Sequence, residues 1–167
     1  VKKIARRDHG FTEEQKDVYR TEARSNPKSA RIILVLSILD MIWYFGIWYR
    51  ILNHISKEFI CDRYLWDTLV DFRVNFSSFN FEKWVIWKLL LWLSPKPDVS
   101  ILLVISAEMS VERGIKKKEF FMETKEVKLK KVNEYQKLIS HEKWSCVISA
   151  DDTIENVFNK IRTELTR

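Results

Sequence analysis

The run at residues 99–105 constrains the fold more than any other stretch of this chain. It is short, rich in β-branched residues and apolar on both faces. The Ser94-Pro95-Lys96-Pro97-Asp98 segment ahead of it cannot be helical. A strand with no polar face needs cover on both sides, and parallel sheets obtain it from crossover helices. Two further apolar runs read as strands: Phe59-Ile60-Cys61 and residues 144–148. Between and after them lie segments of helical periodicity at 65–76, 81–93 and 127–139, and a final helix opened by Asp152 with Glu155. Its stripe of Ile154, Val157, Phe158, Ile161 and Leu165 is that of a helix docked on a sheet. Strands alternating with helices predict one α/β domain over residues 1–167, with a parallel, three-stranded sheet flanked by helices. Gly is scarce, at three residues, which favours helices over tight turns.

Residues 1–30 are polar and basic. Thr12 with Gln15 fits a capping box, so a solvated helix to about residue 23 is expected within a mobile segment. Ser25-Asn26-Pro27 breaks the chain and starts a long apolar helix reaching residue 54. Residues 32–49 have the length of a membrane span, with Lys28, Arg31 and Arg50 as flanks. Asp40 would then sit near mid-membrane at a cost of roughly 2.5–3.5 kcal/mol. A buried core helix, with Asp40 facing a pocket or a cation, accounts for the same run without that cost. No membrane association is therefore expected.

The net charge of +6 fits an anionic ligand, or a soluble surface and nothing more. The basic residues are spread along the chain and no nucleic-acid motif is present, so a nucleic-acid partner is not expected. Cys61 and Cys146 each lie in an apolar run and read as small core residues. Without a cysteine framework or a signal peptide, the cytoplasm is the expected compartment. His9, His54 and His141 show no metal-ligand spacing.

Candidate chemistry concentrates at Asp62-Arg63-Tyr64, where an apolar run ends in paired charges. Ligands of open α/β sheets bind outside the carboxyl ends of the strands. A guanidinium there can clamp a phosphate bidentately, and a carboxylate can hold hydrated Mg²⁺ or orient the guanidinium. An ordinary ion pair at a strand end would look the same. Residues 117–131 carry both charge signs and few apolar anchors, which suits either a closing lid or a solvated helix.

Four words in order give the chain a family likeness: Ile60-Cys61-Asp62-Arg63-Tyr64; Pro97-Asp98 leading into Ile101-Leu102-Leu103-Val104; Val111-Glu112-Arg113; and Val147-Ile148-Ser149-Ala150. Over residues 31–165 it resembles the thymidylate kinase family of P-loop nucleoside monophosphate kinases, in particular its divergent thymidylate kinase-like members. The resemblance implies a P-loop kinase-like fold and phosphoryl transfer from ATP with Mg²⁺ to a nucleotide. It assigns Asp62 and Arg63 to the catalytic centre, Arg63 to the acceptor phosphate and Asp62 indirectly to Mg²⁺. It sets Tyr64, Asp40 and Asp67 by the substrate. A lid over about residues 112–131 would bring Arg113, Lys116, Lys117 and Lys118 to the ATP phosphates.

The departures are as specific. No G-x-x-x-x-G-K-[ST] occurs, so the family's phosphate-binding loop and the N-terminal strand before it are missing. That strand lies between those of Asp62 and residues 99–105 in the family. These two must therefore pair directly, gape, or admit another chain. A sequence starting at Val1 fits an N-terminally truncated kinase, inactive without its phosphate cradle. The alternative is a catalytically silent relative that binds a partner or an anion, with a homodimer among its possible assemblies. At the nucleoside site Ser37, Met41, Asp67, Asp71 and Phe72 replace the family's residues, which leaves thymidine specificity open.

Overall fold

The computed structural model describes residues 26–56, 58–116, 125–141 and 144–166. The predicted helix at 12–23, Lys117 and Lys118 lie outside them. Helix α1 spans Pro27–Ile55. Its start follows the sequence signal: Asn26 caps it by accepting from Lys28 N at 3.0 Å, and Pro27 stands in the first turn, where no N–H is needed. At Ile42–Trp48 the helix widens to π geometry. There Gly46 lets a neighbouring helix approach; a Cβ at Gly46 would meet Leu93 Cβ at 3.0 Å. Arg50 donates through Nε and Nη2 to Leu93 O, satisfying a carbonyl at that neighbour's end.

Helix α2 is Leu65–Asn75 and α3 is Val85–Leu93, preceded by a 3₁₀ turn at Phe81–Lys83. Strand β1 (Ile101–Val104), α4 (Ala107–Lys116), α5 (Lys125–His141), β2 (Cys146–Ser149) and α6 (Ile154–Leu165) follow. As expected, Ser106 caps α4, its Oγ accepting from Met109 N at 3.3 Å. The cap of α6 differs from the prediction. Thr153 is the N-cap and accepts from Asn156 N, while Asp152 accepts from Thr153 N, Asn156 Nδ2 and Lys160 Nζ. These donors hold the Asp152 carboxyl down to about 2.

The strands β1 and β2 are parallel, in register from Ile101 opposite Cys146 to Val104 opposite Ser149. Among the described residues the sheet has these two strands. The expected third strand is not formed. Residues 58–61 belong to no helix or strand, and Ile60 is 91% exposed. An apolar tripeptide alone cannot make a strand; it needs a neighbour for its N–H and C=O groups. Cys61 is accordingly exposed rather than core, and Cys146 is half-buried in β2. Cover of β1 on both faces is likewise not met: Leu102 is buried, but Leu103 is nearly half exposed.

The core sits mainly in the helices. Leu34 and Ile38 of α1, Leu69 and Val70 of α2, Phe81, and Trp87 and Leu90 of α3 form one cluster, joined by Leu138 of α5. Aromatic edges meet within it, with Phe81 and Trp87 5.1 Å apart at 84°. The tryptophans of α3 divide between this core and the outside: Trp87 is buried and Trp92 exposed. The outer side of α1 is apolar too, through Ile32, Leu36, Trp43, Ile47 and Ile51, all exposed. Helix α1 is long and apolar enough to cross a membrane. One side of it nevertheless packs on α3 and into the core.

Two consequences are measurable. Leu34→Ala removes a fully buried side chain and should cost about 2–5 kcal/mol in urea unfolding, whereas Leu36→Ala should cost within about 0.5 kcal/mol. The Asp152 carboxyl is lowered on folding, so its contribution is complete above about pH 4 and is lost as pH falls to about 2. Asp152→Asn should therefore melt below the parent at pH 6, and the two midpoints should converge near pH 2.

Candidate functional site

A cleft of about 820 Å³ lies between the Asp62–Arg63 segment and β1. Cys61, Asp62, Arg63 and Trp66 line it together with consecutive residues from Ile101 to Ile105, and α2, α4, α5, α6 and Trp144 contribute the remainder. Of the three arrangements left open by the sequence, the described residues take the second: the two segments gape.

Asp62 and Arg63 form a bend just before α2. Arg63 has φ of 65°, the left-handed region that a β-carbon disfavours by roughly 1–2 kcal/mol. Both side chains are exposed at the cleft. Tyr64 points elsewhere. Its hydroxyl donates to Pro95 O at 2.7 Å, and its ring meets Phe45 edge-on at 5.0 Å and lies parallel to Tyr49 at 6.0 Å. Burial pushes the Tyr64 phenol up to about 12. The Cys61 thiol is also raised by desolvation, which a hydrogen bond with Tyr49 partly opposes, so its reactive thiolate is disfavoured.

Asp67 lines the cleft, and both its oxygens serve the fold. Oδ2 accepts from Tyr64 N at 3.1 Å, tying down the start of α2, and Oδ1 accepts from Tyr135 Oη at 2.7 Å. Burial and this carboxylate together raise the Tyr135 phenol well above its usual range. One turn along, Asp71 meets Lys131 at 2.7 Å; Arg73 bridges Glu82 at 2.8 Å and Glu134 at 3.3 Å. Helices α2 and α5 are thus clamped antiparallel along one side of the cleft.

At the carboxyl ends of the strands, Arg113 Nη2 donates to Ala150 O at 2.8 Å and Asp152 O at 2.7 Å. This fixes α4 against the loop after β2 and places Arg113 in the cleft wall. Lys128 is buried and donates to Ser110 O at 3.1 Å. Asp40 is exposed on α1 and does not line the cleft. Lys116 ends α4, so the basic end expected of a lid is helical up to that residue.

Asp62, Arg63, Asp67 and Arg113 are therefore brought together, while Tyr64 and Asp40 stand apart. The sequence reading missed Lys128 and Lys131 as cleft residues. Their three-residue spacing, with Tyr135 four further on, sets them on one face of α5 and was the available signal. In all, Arg63, Arg113, Lys128 and Lys131 share the lining of the cleft with Asp62, Asp67 and Asp71.

Parallel strands joined through a helical crossover, with a cleft of mixed charge beside the sheet, define an α/β protein. The thymidylate kinase family model matches residues 6–161, so the chain belongs to the thymidylate kinase family. No curated protein and no solved structure matches it. Members are nucleotide kinases of the P-loop kinase fold and normally use ATP and Mg²⁺.

Residues 1–167 fit those cofactors unequally. Mg²⁺ is commonly held by one or two carboxylates plus substrate phosphates, a mode open to Asp62. No cluster of three acidic, His or Cys ligands exists among the described residues. For ATP no Gly-rich phosphate loop is present in the sequence, and Gly46 is spent on a helix contact.

The clamp between α2 and α5 can be tested directly. Tyr135→Phe deletes a part-buried hydrogen bond to a carboxylate and should cost about 1.5–3 kcal/mol in urea unfolding. Lys131→Met, which removes a more exposed pair, should cost about 1 kcal/mol or less.

Proposed function

We propose that this chain is the acceptor half of a nucleotide kinase, in which Asp62 and Arg63 receive the phosphate of a nucleoside monophosphate or a related phosphorylated acceptor. The observation that carries the reading is the convergence of Arg63 and Arg113, from words 50 residues apart, on one cleft. Guanidinium groups at such a position neutralise phosphoryl charge, and positioning with electrostatics is most of phosphoryl-transfer catalysis. Asp62 orients Arg63 or a hydrated Mg²⁺ carried in with the ligand. Tyr64 supports the segment from behind through Pro95, and Asp67 through the start of α2. The segment from Arg113 to Lys116 serves as the near side of a lid. On this reading the sequence is truncated with respect to its phosphate loop, and residues 1–167 bind the acceptor without transferring phosphate.

The second reading is a silent relative acting through partners, and the exposed apolar stripe of α1 with Trp92 of α3 favours it. In that case a second copy would cover the stripe and sedimentation would give a dimer.

A thermal melt with nucleoside monophosphates and with ATP-Mg²⁺ separates the two. A ligand at about 100 times its Kd adds ~2.7 kcal/mol of stability. A midpoint raised by a monophosphate and not by ATP is expected; no shift with any nucleotide would favour the silent relative. Arg63→Gly sharpens the test. Relief of roughly 1–2 kcal/mol of backbone strain is partly offset by about 0.5–1 kcal/mol of unfolded-chain entropy. The variant should thus be as stable as the parent or slightly more so, while its monophosphate affinity drops at least tenfold. Unchanged affinity would remove Arg63 from the site.

A further inference from the structure

We propose that the outer face of α1 and α3 docks the protein on an anionic lipid bilayer, with both helices lying along the membrane surface. This face is separate from the proposed nucleotide site, since no residue of α1 or α3 lines the cleft. On α1, Ile32, Leu36, Leu39 and Trp43 recur at steps of four, three and four, and Ile47, Ile51 and Ile55 continue at steps of four. In a uniform α-helix each step of four drifts by about 40°, so the later residues would wind away from the earlier ones. The π geometry of Ile42–Trp48 takes more residues per turn and brings them back into line. All of these side chains are between 40% and 76% exposed. The stripe therefore runs straight for roughly 30–35 Å.

Helix α3 adds a second stripe. Val85, Leu89 and Trp92, at steps of four and three, are 80%, 41% and 75% exposed. The opposite sides of the two helices carry Leu34, Ile38, Trp87 and Leu90 into the core, and the helices touch where Gly46 meets Leu93. The two stripes thus lie side by side on one outward face. An exposed apolar face of this extent marks an interaction surface. The expectation of no membrane contact rests on a buried core helix, and the outer side of α1 is not buried. A spanning orientation would strip Leu34 and Ile38 of their core partners. The helix therefore lies in the surface plane, with its stripe ~5–10 Å into the boundary between headgroups and acyl chains.

Two features select lipid over a second copy of the chain. The first is charge. Lys28, Arg31, Arg50 and Lys88 are all exposed on these helices, against Asp40 as their one acidic residue. Anionic headgroups complement that balance, whereas pairing the face with its own copy would bring like charges together. The second is the aromatic content. Every exposed tryptophan among the described residues, Trp43, Trp48 and Trp92, stands on α1 or α3, with Tyr44 beside them in the chain. Their amphipathic rings suit the headgroup level of a bilayer.

The test uses the full chain and vesicles of phosphatidylcholine with and without phosphatidylserine, in the absence of nucleotide. Expected is cosedimentation at least tenfold tighter with the anionic vesicles, and quenching of tryptophan fluorescence by lipids brominated along their acyl chains. Leu36→Glu combined with Trp43→Glu should weaken binding at least tenfold at an unchanged melting midpoint, because both side chains are exposed. Lys28→Gln combined with Lys88→Gln should weaken binding to the anionic vesicles and leave the neutral ones unaffected. The proposal is overturned if the chain stays in the supernatant with both vesicles, if brominated lipids leave the fluorescence unquenched, or if either double variant binds anionic vesicles like the parent. It is overturned in favour of a second copy if the chain sediments as a dimer that the two glutamates dissociate and that vesicles leave intact. If the glutamate variant fails to fold, quenching of the parent still decides.

Discussion

The antiparallel clamp between α2 and α5 sets the distance between the helical layer and the sheet. Tyr135 to Asp67 and Lys131 to Asp71 succeed one another along the two helices, and Arg73 reaches Glu134 beside them. Leu138 adds the apolar part by entering the helical core from α5. Because α5 also packs on β1, the same helix bridges the two layers and holds them around the cleft rather than closing it. A hydrophobic contact alone would let the layers slide; a phenol donating to a carboxylate in partly desolvated surroundings is directional and short.

That clamp also settles which charges remain for a ligand. Asp67 is consumed twice, by Tyr64 N and by Tyr135, and Asp71 is paired with Lys131. Arg113 spends one nitrogen on two carbonyls. Asp62 and Arg63 stand outside this network in exposed positions, one of them with its backbone in a disfavoured conformation. Arg63 holds that backbone at an exposed position beside the cleft, where a glycine would cost the fold less.

The sequence announced the helices well. Asn26-Pro27, the periodic stripes of α2 and α5 and the Ser106 cap all reflect local rules, and local rules survive whatever surrounds them. What it announced poorly depends on neighbours. Phe59-Ile60-Cys61 has the composition of a strand, yet strands exist in pairs, and pairing is a property of the partner. The apolar stripe of α6 was legible as a sheet-facing surface. Ile154 and Phe158 nevertheless stay exposed, because two strands are too narrow to cover a 12-residue helix. For Lys128 and Lys131 the spacing showed a shared helix face, but not what that face meets. Their partners, Ser110 and Asp71, lie 18 and 60 residues away, and no periodicity connects positions across such separations.

The narrow sheet ties these observations together. A parallel pair is slightly less stable per residue than an antiparallel one and normally lies inside a larger sheet. Here β1 bears half of its hydrogen-bonding potential on β2 and turns the other half to the cleft. The residues gathered at that cleft, Arg63 and Arg113 among them, reach it from elements that β1 does not itself hold in place. A strand lying between β1 and the Asp62 segment would supply the missing partner groups to both. It would also reduce solvent access to the two guanidinium groups and so strengthen their electrostatic interactions in a lower local dielectric. The completion of the sheet and the surroundings of the two guanidinium groups are therefore coupled through one gap.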